Sequence, residues 1–210
     1  DQRKYVNMSI KTLPNFPENP PQNPMDLFSE WFDAARHTEP SDPDAACLAT
    51  VDENGLPNAR VILVRHFDDE GFCFFTNYTS AKGTELIGQG KAALNFHWKS
   101  KKRQVRVRGA ITKVPPMQSD DYYASRPLGN RIGAWASKQS QPLESRETLI
   151  NRVKEFEEKF GDTPPRPEHW GGFRLNPQEI EFWEEGEFRL HNRRKYLKNG
   201  DLWTILRLYP

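Results

Sequence analysis

Three observations predict an α+β domain of mainly antiparallel strands, closed as a β-barrel with helices at its periphery. Short apolar runs follow one another across turn sequences such as Glu53-Asn54-Gly55, Asp68-Asp69-Glu70-Gly71 and Asn199-Gly200, and strands joined by short turns are antiparallel. Regular alternation of strand and helix is missing, which argues against a doubly wound parallel sheet. The strands are numerous enough that closure is the simplest way to remove their open edges. At 210 residues the chain has the size of one domain. Residues 1–24 are polar with five prolines late in the run, so the expected organisation is an extended arm over 1–24 and a single domain over 25–210.

The elements follow in order. Residues 25–37 place Leu27, Phe28, Trp31, Phe32 and Ala35 on one side, the 3.6-residue pattern of an amphipathic helix. Residues 45–51 and 59–67 flank the Asn54-Gly55 turn and read as a hairpin. A strand over 72–76, a short helix from Ser80 through Ile87, and strands over 92–98 and 104–114 come next. Helical segments are expected near 120–125 and 131–137, and a longer charged helix over 146–160. A loop with Pro164, Pro165 and Pro167 leads to strands over 173–175, 179–183, 188–197 and 202–208.

Composition narrows the function. Thirty basic and 29 acidic residues leave a net charge of +1, so no global field points to nucleic acid or a membrane surface. No apolar run approaches the roughly 18 residues of a membrane span. Cys47 and Cys73 lie in apolar strand-like runs and read as small buried hydrophobes in a reducing compartment. The first residues do not read as a signal peptide, and the glycosylation patterns at Asn7 and Asn77 are treated as chance. A cytoplasmic protein is expected. Nucleotide-binding glycine loops and metalloprotease, redox C-x-x-C and nucleophile-elbow motifs are lacking. The five histidines are far apart in sequence, so no metal site is expected.

What remains is a set of positions suited to anions. If residues 189–193 are extended, Arg189, His191 and Arg193 share one strand face. That face suits either a flat anionic ligand or a solvated edge. Ser80-Ala81-Lys82 opens a helix, where free N–H groups favour an anion, although an ordinary capped helix has the same look. Arg60 and Arg65 bracket Val61-Ile62-Leu63-Val64 at an odd separation, which puts them on opposite faces of a regular strand unless a bulge intervenes. Gln104, Arg106 and Arg108 share a strand face, as a structural ladder also would. Tyr122 and Arg126, four apart on a helix, suit a phosphate clamp or simple packing of the ring on the Arg stem. Gln139 and Ser140 offer neutral hydrogen-bond partners.

These residues carry a resemblance. Glu181-Phe182-Trp183 with Arg189-Leu190-His191-Asn192-Arg193 resembles the signature of the pyridoxamine 5′-phosphate oxidases. So do Arg103-Gln104-Val105, Tyr122 with Ser125-Arg126-Pro127, Ile132-Gly133-Ala134-Trp135-Ala136-Ser137-Lys138-Gln139-Ser140, and His169-Trp170-Gly171-Gly172, in collinear order. The resemblance implies an FMN-binding split barrel and a homodimer with FMN in clefts where subunits meet. It implies FMN contacts at Arg60, Val61, Ile62, Leu63, Phe75, Thr76, Lys82, Gln104, Gln139, Ser140, Trp183 and Arg193. Substrate contacts would fall on Arg65, Tyr122, Arg126, Asn130, Arg189 and His191, with Tyr5 covering the site and Arg189 and His191 catalytic.

The implied reaction is oxidation of pyridoxamine or pyridoxine 5′-phosphate by O2 to pyridoxal 5′-phosphate, with release of hydrogen peroxide and, from the amine, ammonia. Three positions depart from the family pattern. Arg65 stands where a lysine is usual, which alters reach and fork geometry. Ala81 replaces the arginine of an Arg-Lys pair. That removes a contact worth about 1.5–3 kcal/mol and weakens flavin binding roughly tenfold to a hundredfold unless compensated. Asn130 stands where a serine is usual. These departures motivate two alternatives: an FMN oxidase of a larger reduced ring system, as in the phenazine pathway, and a non-enzymatic flavin or pyridoxal-phosphate binding protein.

Overall fold

The computed structural model describes residues 19–210; Tyr5 and most of the expected arm lie outside them. Among the described residues there are five helices: α1 (Pro24–Arg36), α2 (Ala81–Gln89), α3 (Pro116–Ser125), α4 (Leu128–Ala136) and α5 (Arg146–Phe160). The nine strands are β1 (Ala45–Val51), β2 (Pro57–Leu63), β3 (His66–Asp68), β4 (Gly71–Asn77), β5 (Lys91–Trp98), β6 (Arg103–Lys113), β7 (Trp170–Glu184), β8 (Asn192–Asn199) and β9 (Leu202–Arg207). The pairings β1–β2, β1–β5, β3–β4, β4–β7, β7–β8 and β8–β9 are antiparallel, and the architecture is the expected α+β antiparallel barrel. Two compact units are present. The larger holds Asp44–Phe96 and Val107–Gln178; the smaller holds the described residues up to Pro43, His97–Arg106 and Glu179–Pro210.

In the larger unit the barrel closes at a two-residue corner. The strand expected over 59–67 is instead divided into β2 and β3. Val64 donates its N–H to Asp44 O at 2.9 Å, and Arg65 donates to Cys73 O at 2.9 Å, so consecutive residues bond different neighbours. β2 and β3 are the two ends of the order β2-β1-β5-β6-β7-β4-β3, and joining them closes that path; β9, off it, pairs among the described residues only with β8. The apolar run Val61-Ile62-Leu63-Val64 carries no glycine or proline to announce the corner. Phe72, Phe74, Leu86, Leu94, Phe96, Phe173 and Leu175 are fully buried here or nearly so.

A second departure is β7, one strand where two were expected over 173–175 and 179–183. Asn176-Pro177 reads as a break, yet Gly109 on β6 accommodates it. A Cβ at Gly109 would collide with the Asn176 carbonyl and come within 3.0 Å of Pro177 Cα, the close backbone approach that a strand glycine permits.

The smaller unit is organised by α1. Asn23 Oδ1 accepts from Met25 N at 3.0 Å and Pro24 occupies the first turn, both helix-start signals. Phe28 packs on Trp98 (5.8 Å between centroids), and Trp31 meets Phe182 edge-on at 5.2 Å. Phe182 in turn meets Tyr196 at 5.6 Å, and the Tyr196 hydroxyl donates to Pro21 O at 2.9 Å. These contacts hold β7 and β8 rigidly under the C-terminal signature.

The third departure lies in that signature. Residues 188–191 are not extended; β8 begins at Asn192, and Glu187–Arg189 form a 3₁₀ turn. Phe188 and Arg189 adopt φ of 56° and 66°, two successive left-handed residues. The Gly186 α-carbon approaches the Leu190 carbonyl too closely for any side chain, which folds the loop back on itself. Arg189, His191 and Arg193 therefore do not share a regular strand face.

Candidate functional site

A cavity of about 500 Å³ opens in the larger unit, lined by Arg60, Val61, Ile62, Leu63, Arg65, Phe75, Thr76, Asn77, Lys82, Tyr122, Arg126, Gln139 and Trp170. Such a volume is typical of small-molecule sites. Strand β2 supplies the first four residues, the β2–β3 corner Arg65, β4 Phe75, Thr76 and Asn77, α2 Lys82, α3 and its C-cap Tyr122 and Arg126, the segment after α4 Gln139, and β7 Trp170. The corner at Val64-Arg65 explains how Arg60 and Arg65 line one cavity despite their odd separation: the strand breaks and the alternation resets.

Four cations surround this space, and two of them carry carboxylate partners. Arg60 NH2 lies 3.0 Å from Glu85 Oε2, and the same guanidinium donates to Leu48 O at 3.3 Å and to the Thr50 hydroxyl. Thr50 and Asn58 donate to Glu85 as well. Burial pushes the Glu85 carboxyl up, but these hydrogen bonds and the Arg60 charge outweigh it and hold the group below the usual carboxylate value. Arg65 NH1 lies 2.9 Å from Asp44 Oδ2.

The other two cations, Lys82 and Arg126, are not neutralised in this way. Lys82 is 8% exposed, and its ammonium has a long 3.4 Å hydrogen bond to Ser80 Oγ. Burial, and then the Arg60 charge, depress its pKa against the pull of Glu85. Lys82 lies in the first turn of α2, whose N-cap Ser80 accepts from Gly83 N at 3.3 Å. Arg126 is not inside the helix as the i, i+4 pattern suggests; it is the C-cap of α3 with extended backbone. Its guanidinium lies 4.7 Å from the Trp170 ring centroid, and NH1 is buried with no hydrogen-bond partner among the described residues. Burial, with Arg65 adding to it, depresses its pKa too.

The wall of the cavity is aromatic. Tyr122 stacks on Phe75 at 4.0 Å and 24°, and Trp170 lies nearly parallel to both, 5.8 Å from Phe75 and 6.2 Å from Tyr122. Thr76 donates to Gln139 Oε1 at 3.2 Å. Asn130 lines an adjoining cavity of about 250 Å³ that shares Asn77, Arg126, Gln139 and Trp170 with the first. Ser140 lines a separate groove with Gln139, Leu143 and Arg152.

The remaining expected residues belong to the smaller unit. Trp183 faces Arg193 across the β7–β8 pair and packs against His191 at 4.6 Å between ring centroids. Gly186 N donates to His191 Nδ1 at 3.3 Å, which leaves the proton of a neutral imidazole on Nε2. Arg189 is exposed. Arg193 donates to buried Glu181 and to Tyr209 O. Gln104 lies on β6 between the buried Val105 and the half-buried Arg103.

Sequence reasoning missed Trp170, Asn77, Glu85 and Asp44. Trp170 stood in the quoted His-Trp-Gly-Gly string, which was the available signal. The other three give no local sign, because their partners are remote in sequence. Among the described residues no three His, Cys, Asp or Glu gather as a metal site, and no helix is long and apolar enough to cross a membrane.

Residues 32–160 match a family described as pyridoxamine 5′-phosphate oxidase, and residues 170–210 match the pyridoxine 5′-phosphate oxidase C-terminal dimerisation region. A pyridoxine/pyridoxamine 5′-phosphate oxidase of Chelativorans sp. (strain BNC1) is 53% identical over 189 residues, covering 89% of this chain and 90% of that one. The enzyme of the same name from Brucella anthropi is 54% identical over 192 residues, covering 89% and 94%. Among solved structures, PhzG from Burkholderia lata 383, in complex with tetrahydrophenazine-1-carboxylic acid, superposes with a TM-score of 0.88 at 33% identity, covering 93% and 98%. A pyridoxamine 5′-phosphate oxidase-related, FMN-binding protein from Nostoc punctiforme shares the fold at a TM-score of 0.70 and 20% identity, covering 92% and 99%. With a split barrel, a cation-rich aromatic cavity and relatives matched along most of its length, the chain belongs to the pyridoxamine 5′-phosphate oxidase family of oxidoreductases.

Proposed function

We propose that the protein is an FMN-dependent oxidase that converts pyridoxamine and pyridoxine 5′-phosphates to pyridoxal 5′-phosphate with O2, in vitamin B6 metabolism. The observation that carries this reading is the pair of cations, Lys82 and Arg126, that make no salt bridge among the described residues, beside a planar aromatic wall in one cavity. A buried charge needs a partner, and two phosphate monoesters, one on the flavin and one on the substrate, supply two. FMN held by these residues would supply hydride acceptance from the substrate carbon bearing the amine or hydroxyl and passage of the electrons to O2 as hydrogen peroxide; the imine formed from the amine would hydrolyse with loss of ammonia.

The residues have separate tasks in this reading. Lys82, with the first turn of α2, holds the flavin phosphate, and Arg60 is kept rigid by Glu85 and Thr50 beside it. Val61, Ile62 and Leu63 offer strand edge and apolar surface, and Phe75, Thr76, Gln139 and Ser140 border the ring. Arg126, Tyr122, Arg65 and Asn130 hold the substrate phosphate. Arg65 is steadied by Asp44, so its fork serves two acceptors where a lysine would offer a point charge. Arg189 and His191 orient the reacting substituent, His191 carrying its proton on Nε2. Positioning of this kind governs rate, because small displacements of reacting atoms are costly.

The reading is of a homodimer with FMN in clefts where subunits meet, so that Gln104, Trp183 and Arg193 act on the same ligand as the cavity; the match to a dimerisation region supports it. Tyr5, outside the described residues, keeps its proposed covering role, and the arm over 1–24 is proposed as separate from a domain over 25–210. A cytoplasmic location is part of the reading, supported by two cysteines without disulfides.

A second reading, oxidation of a larger reduced ring, is favoured by the likeness to PhzG and by Ala81. Arg126 opposes it only for a substrate with no anionic group, since a carboxylate also pairs with a guanidinium. The visible spectrum of the purified protein, taken without oxygen, separates the readings. Bleaching of the flavin by pyridoxamine 5′-phosphate, with peroxide on readmitting air, is expected. Failure to bleach with that substrate would overturn the first reading, and failure to load FMN would overturn both.

A further inference from the structure

Arg193 is held at four points by its own chain. Its Nε and NH2 lie 2.9 and 2.8 Å from Glu181 Oε1, and NH1 donates to Tyr209 O at 2.9 Å. Its own carbonyl accepts from Leu208 N at 3.0 Å. Glu181 is 4% exposed and takes Arg106 on its other oxygen. Flanking Ile180 and Phe182 are fully buried, so the strand carrying this carboxylate cannot drift.

Such a clamp changes what Arg193 presents to a ligand. A free arginine side chain has many rotamers and five N–H donors. Here the Nε edge is taken by Glu181 and one donor of NH1 by the Tyr209 carbonyl. One N–H on each terminal nitrogen remains, on a guanidinium whose plane is held by Glu181 and Tyr209. Orienting the donors before binding removes an ordering cost that binding would otherwise carry. We propose that Glu181 is a positioning residue that pre-aims the Arg193 fork at the flavin. The inference rests on the flavin role given to Arg193 above.

The test is titration of FMN-stripped protein with FMN, read by quenching of flavin fluorescence, for wild type, Glu181→Ala, Glu181→Gln, Arg193→Ala and the Glu181→Ala/Arg193→Ala double variant. Glu181→Ala is expected to weaken FMN binding by about tenfold, the ordering cost of one long side chain. Glu181→Gln keeps an acceptor at the same place and should recover most of that loss. The double variant should bind no more weakly than Arg193→Ala, because residues acting through one another are not additive.

A double variant showing the full product of the two single losses would overturn the inference, as would unchanged FMN affinity in Glu181→Ala when Arg193→Ala binds weakly. Should Glu181→Ala fail to fold by circular dichroism, Glu181→Leu, which fills the buried space without an acceptor, carries the same comparison with and without Arg193→Ala. If Arg193→Ala itself leaves FMN affinity unchanged, the flavin role of Arg193 and this inference fall together, while the rest of the site stands.

Discussion

Replacing Arg126 by methionine should move stability and binding in opposite directions. The guanidinium sits over Trp170 at 4.7 Å, and NH1 is buried with no hydrogen-bond partner among the described residues. A buried unsatisfied donor costs about 1–3 kcal/mol, whereas a cation over an aromatic face returns about 0.5–2 kcal/mol. Methionine has similar reach, no donor and a polarizable sulfur that suits the indole. The ligand-free variant is therefore expected to match or exceed wild-type stability by up to about 2 kcal/mol, and each kcal/mol is worth about 2–4 °C in Tm at this chain length. The phosphate side carries the opposite sign. One lost charge-assisted hydrogen bond costs about 1.5–3 kcal/mol, or roughly 10- to 150-fold in affinity. Thermal unfolding with and without pyridoxal 5′-phosphate, together with calorimetric titration of that ligand, reads both arms. A variant that melts lower yet binds the phosphorylated ligand unchanged would show Arg126 to be a packing residue and refute the reasoning.

Three further outcomes follow from the same geometry. Arg189→Ala, at an exposed left-handed position of the C-terminal loop, should lower turnover much more than flavin content; equal activity in a flavin-loaded variant would remove Arg189 from the reaction. Because burial and Arg60 depress the Lys82 pKa below 10.5, the ammonium is lost as pH rises through that lowered value. FMN affinity should therefore weaken at a lower pH than an ordinary lysine would give, and Lys82→Arg should flatten the profile; a wild-type profile flat to beyond the ordinary lysine value would contradict this. Gly172→Ala places a Cβ 2.6 Å from Val114 Cγ2 and 2.7 Å from Phe75 Cε1. Overpacking of this kind costs about 1–3 kcal/mol, and a lowered Tm with weaker flavin binding is the expected pair of results.

Much of the fold and the cavity was legible in the residues. The patterns around Phe28 and Trp31, the turns at Gly55 and Gly200, and the Ser80 cap are local signals, and the elements they announce are present. Arg60, Phe75, Thr76, Lys82, Tyr122, Arg126 and Gln139, named through the family resemblance, line one cavity. Local periodicity nevertheless misread residues 188–191 as strand. Two successive left-handed residues are set by the close turn at Gly186, and no side-chain pattern encodes that backbone conformation.

The sequence by itself determined most helices and strands, where the cationic and aromatic side chains of the proposed site lie along the chain, and that they resemble one family, because propensity, capping and motif spacing are properties of neighbouring residues. Only the tertiary structure decided which cations are already neutralised. Glu85 meets Arg60, and Asp44 meets Arg65, across separations of 25 and 21 residues, while among the described residues Lys82 and Arg126 make no salt bridge. Charge compensation depends on distance in space, and distance in space is fixed by the corner at Val64-Arg65 that closes the barrel.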